Sequence, residues 1–189
     1  MNREKEMLLQ GTNIYLRALE EADAAAYTDL LVRNRHVWKQ FEPAKDEDFY
    51  QVEHQRELIL ESQEDTKNGK SYHFGIFLNN TDLLAGDISL YSVKTSFFQS
   101  AQAGYALDTD QTGKGLASEA LFLLMKFAFN IINLRRLEAG VSPDNPASIR
   151  VLEKAGFRRE GLMRENLLIN GEWKSHFLYA VLSKDIFRG

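Results

Sequence analysis

The chain has 189 residues, 44% hydrophobic and 26% charged, which is ample material for one packed core and unlike the composition of a disordered segment. A formal charge of −4 and a pI near 5.6 argue against direct nucleic-acid binding through a basic face. The absence of cysteine excludes disulfides, thiol catalysis and cysteine-ligated zinc. The opening MNREKEMLLQG is charged, with only a brief apolar patch and no signal-peptide h-region, and no run approaches membrane-spanning length. A cytoplasmic protein without membrane contact is therefore expected.

In chain order, GTNIYLRALE reads as a first strand, with Ile14 and Leu16 facing one way and Tyr15 and Arg17 the other. A helix follows from Glu21 to about Asn34, with Ala22, Ala26, Leu30 and Val37 at helical spacing. WKQFEPAKDEDFY, with Pro43 and clustered charges, is a loop or a pair of short helices. Residues 51–67 form a polar amphipathic helix stopped by Asn68 and Gly69. YHFGIFL, LLAGDISLYSV and SAQAGYAL are three antiparallel strands, the first two separated by the turn residues NNTD.

A helix then opens near Gly115 and runs through Leu121, Leu124, Met125, Ala128 and Phe129 to about Asn133, and RRLEAGV is the strand after it. The next helix spans Pro146 to Ala155, with proline at its first position and Asn145 as its cap. FRREGLMRENLLI and WKSHFLYAVLS close the chain as a hairpin turning at Asn170-Gly171. No repeat or linker interrupts residues 1–189, so a single domain is expected, of α+β class, with one mixed and mostly antiparallel sheet flanked by helices.

In DTDQTGKGLASEALFLL, Gly113 and Gly115 bracket Lys114 between a strand end and a helix start. Glycines let consecutive N–H groups point at one anion, and the helix N-terminus adds partial positive charge, so the turn suits phosphate. It is neither a Walker A loop nor GxGxxG. Taken alone, it also reads as an ordinary strand-to-helix connection.

Together with SPDNPASIRVLEKAGF at 142–157 and the opening GTNIYLRALEEAD, however, this turn resembles the GNAT superfamily of acetyl-coenzyme A-dependent N-acetyltransferases. The order of elements is similar across nearly the whole chain. NRHVWKQFEPAKDEDFY and SIRVLEKAGF followed by EGLMRE resemble the Rim-type ribosomal-protein alanine N-acetyltransferases within it. The resemblance implies a twisted sheet of about seven strands, splayed between two central strands. It implies that the amides from Thr112 through Gly113, Lys114, Gly115, Leu116 and Ala117 hold the coenzyme A pyrophosphate. The strand end Tyr105, Ala106 and Leu107 would pair with the pantetheine arm, and Asn145 would hydrogen-bond it. Ser148 would stand near the thioester sulfur as donor to the leaving thiolate. Where Thr112 stands, the family commonly has arginine or glutamine, which implies a modest loss of affinity.

Acetyl transfer by direct attack needs a neutral amine, a donor for the developing oxyanion, such as the Leu107 N–H, and a base. An α-amine with a pKa of about 8 is partly neutral near pH 7 and tolerates a weak or water-relayed base. Three carboxylates compete. Glu138 on RRLEAGV would flank the thioester, or pair with Arg135 or Arg136. Glu42 in the FEP segment could bind or deprotonate the amine, or be a solvated loop charge. Glu165 lies two residues before the position, here Leu167, where some Rim-type enzymes carry a catalytic glutamate. Ser175 and His176 stand where relatives often have aspartate.

His36, His54, His73 and His176 show no metal-ligand spacing, so no metal is expected. Tyr179 reads as packing. Trp38, Phe41 and Phe49 could wall a substrate groove or be local core, and Asp46, Glu47 and Asp48 could attract a cationic peptide or be a solvated face. The expectation is an acetyltransferase using acetyl-CoA as co-substrate, with a protein N-terminal α-amine as favoured acceptor. The alternatives are a small-molecule amine (polyamine, amino acid or aminoglycoside) or a non-catalytic acetyl-CoA-binding module. The helix at 51–67 and the final strand offer faces for a homodimer.

Overall fold

The computed structural model describes residues 7–186; the charged opening residues 1–6 and residues 187–189 lie outside the described residues. The elements are β1 (Leu9–Gln10), β2 (Ile14–Ala18), α1 (Ala24–Trp38), α2 (Val52–Lys67), β3 (Tyr72–Leu78), β4 (Leu84–Lys94), β5 (Ser100–Leu107), α3 (Leu116–Lys126), β6 (Arg136–Val141), α4 (Pro146–Lys154), β7 (Arg158–Ile169), β8 (Glu172–Leu182) and α5 (Ser183–Ile186). They build one eight-stranded sheet in the order β1-β2-β3-β4-β5-β6-β8-β7. Every neighbouring pair is antiparallel except β5 and β6. The eighth strand relative to the expected seven is β1, whose two residues are too short to carry a periodic signal.

At β3 the sheet is covered on both faces, which is why the end of that strand reads as the run FGIFL rather than an alternation. On one face α3 and α4 pack through Leu121, Leu124 and Leu152, with Phe127 just beyond α3, onto Ile14, Leu16, Ile88 and Leu137. On the other, α1 and α2 pack through Tyr27, Leu30, Leu31 and Ile59 onto Phe77 and Leu84. The β7–β8 hairpin turns at Asn170 and Gly171, both at positive φ (51° and 81°), which is the geometry an Asn-Gly turn favours.

Two expectations need correction, and the open choice after Trp38 resolves to a loop. The first helix begins as a short 3₁₀ turn at Glu21–Asp23, continues to Trp38, and buries a different stripe: Ala22 and Ala26 are exposed, while Ala24, Tyr27, Thr28, Leu31 and Asn34 join Leu30 inside. Small alanines carried no directional information there, and two polar residues sit on the inner face. The helix opening at Gly115 leaves α geometry after Lys126 and ends in a π turn over Phe127–Ile131, where Ile132 N–H reaches Phe127 O at 3.1 Å. The segment after Trp38 is a turn and loop with one 3₁₀ helix, Glu47–Tyr50.

Candidate functional site

The parallel pairing of β5 with β6 lasts only from Ser100–Arg136 to Gln102–Glu138. Beyond it β5 stays paired with β4 (Ile88–Tyr105, Asp87–Ala106, Gly86–Leu107) while β6 follows β8, so the two central strands part. Asp108 N–H donates to Ala85 O on β4 at 2.8 Å, and Ala106 O also faces β4, where a Cβ on Gly86 would meet it at 2.3 Å. Strand alternation therefore turns the backbone groups of Tyr105 and Leu107 into the opening. A row of polar backbone at the middle of a covered sheet is costly without a partner, so this gap is a place for an extended polar ligand.

The glycine turn adds a second set of free backbone donors beyond the end of β5, separated from the first by the engaged amides of residues 108–112. Gly113 and Gly115 have φ of 76° and 80°, in the left-handed region where a side chain is strained. The first helical bond of α3 is Glu119 N–H to Gly115 O, and the N–H groups of Gly113, Lys114, Gly115, Leu116 and Ala117 donate to no other described residue. Five free donors at a helix start form an anion cradle. Thr112 departs from the expected set: its amide donates to Thr109 O at 3.3 Å and its hydroxyl to the same oxygen at 2.8 Å, so it closes the turn instead. Lys114 Nζ folds back onto Asp110 O and Gln111 Oε1 (3.0 and 2.8 Å), beside the cradle.

Sequence reasoning missed what anchors the turn. Asp108, only 3% exposed, accepts from Arg33 Nε and Nη2 at 2.9 and 2.7 Å and from Asn34 Nδ2 at 3.2 Å. The Asn34 carbonyl in turn accepts from the Thr109 amide and hydroxyl at 3.0 and 2.9 Å. Burial alone would resist ionisation of Asp108, but the Arg33 and Asn34 hydrogen bonds outweigh it and hold its carboxyl below the ordinary range. The available signal was a pair of polar residues, Thr28 and Asn34, among the apolar positions of the first helix.

On the α3–α4 face, Asn145 caps α4 by accepting from Ser148 N–H at 3.0 Å, so its carbonyl is occupied while its amide stays unpartnered among the described residues. Ser148 Oγ lies 2.8 Å from the Tyr105 hydroxyl, which also reaches Ser148 O at 3.2 Å. Burial pushes the Tyr105 phenol up to about 12 despite the Ser148 bond, which pulls it down. Tyr179 is buried and donates to Glu153 Oε1 at 2.9 Å, a packing role as expected.

The three candidate bases fare differently. Glu138 lies at the last paired position of the opening and is held by Arg136 Nε at 2.7 Å, while the same guanidinium forks onto Glu160. Glu165 is exposed in a bulge of β7, with φ 47° and its N–H donating to Ser175 Oγ at 3.0 Å. Glu42 is drawn in beneath α1, and no described residue donates a hydrogen bond to its carboxyl. Desolvation first, and then the Asp87 charge, raise its pKa to about 7, with Lys45 opposing. Asp87 sits opposite Ala106 on the α1–α2 face, bonded to His73 Nε2 at 3.2 Å, and Tyr27 beside it has its phenol pushed far up by burial and by Asp87 and Glu42.

Glu42 lines a cavity of about 140 Å³ with Trp38, Phe49, Tyr50 and Asn170, so two of the three expected aromatic walls are present and Phe41 is not among them. Asn170 Nδ2 donates to Lys39 O at 2.9 Å, tying the β7–β8 turn over this cavity. Glu47 is paired with Arg35 at 2.5 Å, and Asp46 and Asp48 are exposed. His36 is exposed, whereas His176 is 5% exposed and bonded to Asn166 Oδ1 at 2.9 Å. Among the described residues no group of three or more His, Asp or Glu could hold a metal ion, and no helix is long and apolar enough to cross a membrane.

A family profile described as an acetyltransferase (GNAT) domain matches residues 13–158, from β2 to the start of β7. A probable N-acetyltransferase, YjcK, of Bacillus subtilis is 44% identical over 178 residues, covering 94% of this chain and 98% of its own. The ribosomal-protein-S5-alanine acetyltransferase of Vibrio fischeri superposes with a TM-score of 0.89 at 28% identity, covering 94% of this chain and 97% of its own. Mycobacterium smegmatis RimJ, solved in complex with CoA-disulfide, gives 0.88 at 28% identity, covering 96% and 87%.

Proposed function

The chain belongs to the GNAT acetyltransferase family, and from that premise we propose that it moves the acetyl group of acetyl-CoA onto the α-amine at the N-terminus of a protein, of the ribosomal kind. Two sets of free backbone groups carry the reading, those of Tyr105 and Leu107 at the parted edge of β5 and the amides of Gly113 to Ala117 in the glycine turn. The CoA-bound relative and the ribosomal-protein-alanine acetyltransferase among the neighbours support the donor and the acceptor respectively.

In this reading the amides of Gly113 to Ala117 hold the pyrophosphate, the gap-facing groups of Tyr105 and Leu107 and the free Asn145 amide hold the pantetheine, and the Leu107 N–H receives the carbonyl oxygen as it becomes negative. The amine nitrogen attacks the thioester carbon and loses its extra proton to Glu42. The C–S bond breaks, and the thiolate leaves against the Ser148 hydroxyl and takes a proton from solvent. Glu42 is preferred as base because its carboxyl is free and titrates near pH 7, whereas Glu138 is already compensated by Arg136. Glu42 and Ser148 approach from opposite faces of the sheet, so base and leaving-group donor do not compete for one space.

Calorimetric titration with acetyl-CoA, paired with thiol release on a peptide beginning with alanine, tests this. Ser148→Ala should bind acetyl-CoA within a few-fold of the native chain and lose about 10²-fold in kcat. Tight binding by the native chain with no acetylation of any amine would instead establish a binding module.

A further inference from the structure

We propose that Tyr105 acts through its side chain as well as its backbone, as the positioning residue that decides whether the Ser148 hydroxyl points inward or toward the leaving sulfur. The inference rests on the acetyl-transfer reading and on hydrogen-bond accounting at one hydroxyl. Tyr105 has one O–H, and two acceptors on the same residue stand within its reach, Ser148 O at 3.2 Å and Ser148 Oγ at 2.8 Å. It can serve only one at a time.

If the phenol donates to Ser148 O, the 2.8 Å contact must be a bond from Ser148 Oγ to the phenol oxygen, and the serine proton is then turned away from the substrate. If the phenol donates to Ser148 Oγ, the serine proton is released outward and its oxygen is polarised by the bond it receives. The second arrangement is the one a departing thiolate selects. It gives up only the longer contact, and Ser148 O keeps its place as a helix acceptor near the start of α4. The backbone of Ser148 does not move in the exchange, because Asn145 holds its N–H at 3.0 Å.

The surroundings fit a donor that never becomes a base. Tyr105 is half-buried against the α3–α4 core, and burial keeps its phenol protonated far above neutral pH. Glu153, which accepts from Tyr179, is the acidic residue of α4, and no acidic hydrogen-bond partner reaches the Tyr105 hydroxyl among the described residues. No net proton transfer through Tyr105 is needed. Its contribution is the orientation of one O–H dipole and the strengthening of the bond that dipole makes to sulfur.

The test is a double-mutant cycle on kcat using acetyl-CoA and an alanine-initiated peptide, with KM for acetyl-CoA measured in parallel. Tyr105→Phe should lower kcat about tenfold, the rate equivalent of one ordinary hydrogen bond, while KM for acetyl-CoA stays within about twofold. In the Ser148→Ala background the same substitution should change kcat by less than about twofold, because the hydroxyl it acts on is gone. Equal losses in both backgrounds, or a loss confined to KM, would make Tyr105 a packing residue and overturn the proposal. Absence of thiol release from the native chain with every amine tried would overturn the acetyl-transfer reading, and the Tyr105 role with it.

Discussion

Glu42 and Asp87 form two carboxyl groups in one desolvated place, and their coupling makes the residue-scale prediction. The groups facing Glu42 are Asp87 on β4, which raises its pKa, and Lys45 in the loop, which lowers it, with Tyr27 of α1 and His73 of β3 packed around Asp87. As the proposed base, Glu42 would have to be ionised to take a proton, so kcat/KM should rise with pH through about 7. Asp87→Asn removes a like charge and should move that limb to lower pH, and Glu42→Gln should abolish it, as a pH–rate profile would read. Stability runs the other way. A carboxyl with a raised pKa leaves the folded state holding more protons than the unfolded one, so stability falls as pH climbs from 4.5 to about 7, and the penalty is complete above that. Glu42→Gln should therefore be more stable than the native chain at about pH 8, on the order of 2 kcal/mol by urea denaturation, and nearly equal to it at about pH 4. The FEP segment marked Glu42 in the sequence, but its raised pKa could not be read there, because its burial comes from the tertiary fold and the second cause, Asp87, lies on a distant strand. The arginine pairing of Glu138, by contrast, was legible as local neighbours on one strand.

The glycine turn and the helix that anchors it are two elements brought together by a buried network. Asn34→Ala would remove one of the donors to Asp108 and leave the Thr109 amide without its acceptor, and should cost about 1–3 kcal/mol in chemical denaturation. Because that network aims the free amides, acetyl-CoA affinity should fall in the same variant although Asn34 does not touch the cradle. Gly86→Ala works from β4, on the edge of β5 turned away from the gap. Its Cβ would meet the Ala106 oxygen at 2.3 Å, so the end of β5 must shift, and acetyl-CoA binding should weaken with it, measured by titration. The turn was only half readable from its spacing: Gly-Lys-Gly before an apolar-periodic run placed glycines at a helix start, where both have positive φ, but the same pattern fitted an ordinary connection until it was taken together with NPASIRVLEKAGF. Its anchor was not readable, since Asn34 and Asp108 are 74 residues apart and the alanine-rich first helix gave the wrong inner face. Thr112 shows the same limit, because nothing in its position announced that its amide would close the preceding turn.

The proposed chemistry divides by sheet face, with Glu42 and Asp87 under α1 and α2, Ser148 and Tyr105 under α3 and α4, and the parting of β5 from β6 as the proposed passage between them. A ligand filling that passage ties α3, β5 and α4 together and should stabilise the fold by mass action. Acetyl-CoA at about a hundred times its Kd should raise Tm by about 5–10 °C. Strand and helix order was legible almost throughout, from the three central strands to the Asn-Gly hairpin, because period and turn chemistry are local. The parting of the central strands was not, since RRLEAGV and SAQAGYAL look like ordinary neighbours, and it was expected only through resemblance to a family. The proposed acceptor belongs to this scale too, because the cavity around Glu42 that would receive it is assembled from α1, the loop after it and the β7–β8 turn. The most direct measurement is a thiol-release screen with acetyl-CoA that sets peptides beginning with alanine or serine against the same peptides blocked at the N-terminus, and against polyamines, amino acids and aminoglycosides. Turnover of the free-N-terminus peptides, lost on blocking and exceeding that of every small amine, is the predicted result; a clear preference for a small amine, or equal turnover of blocked and free peptides, would contradict it.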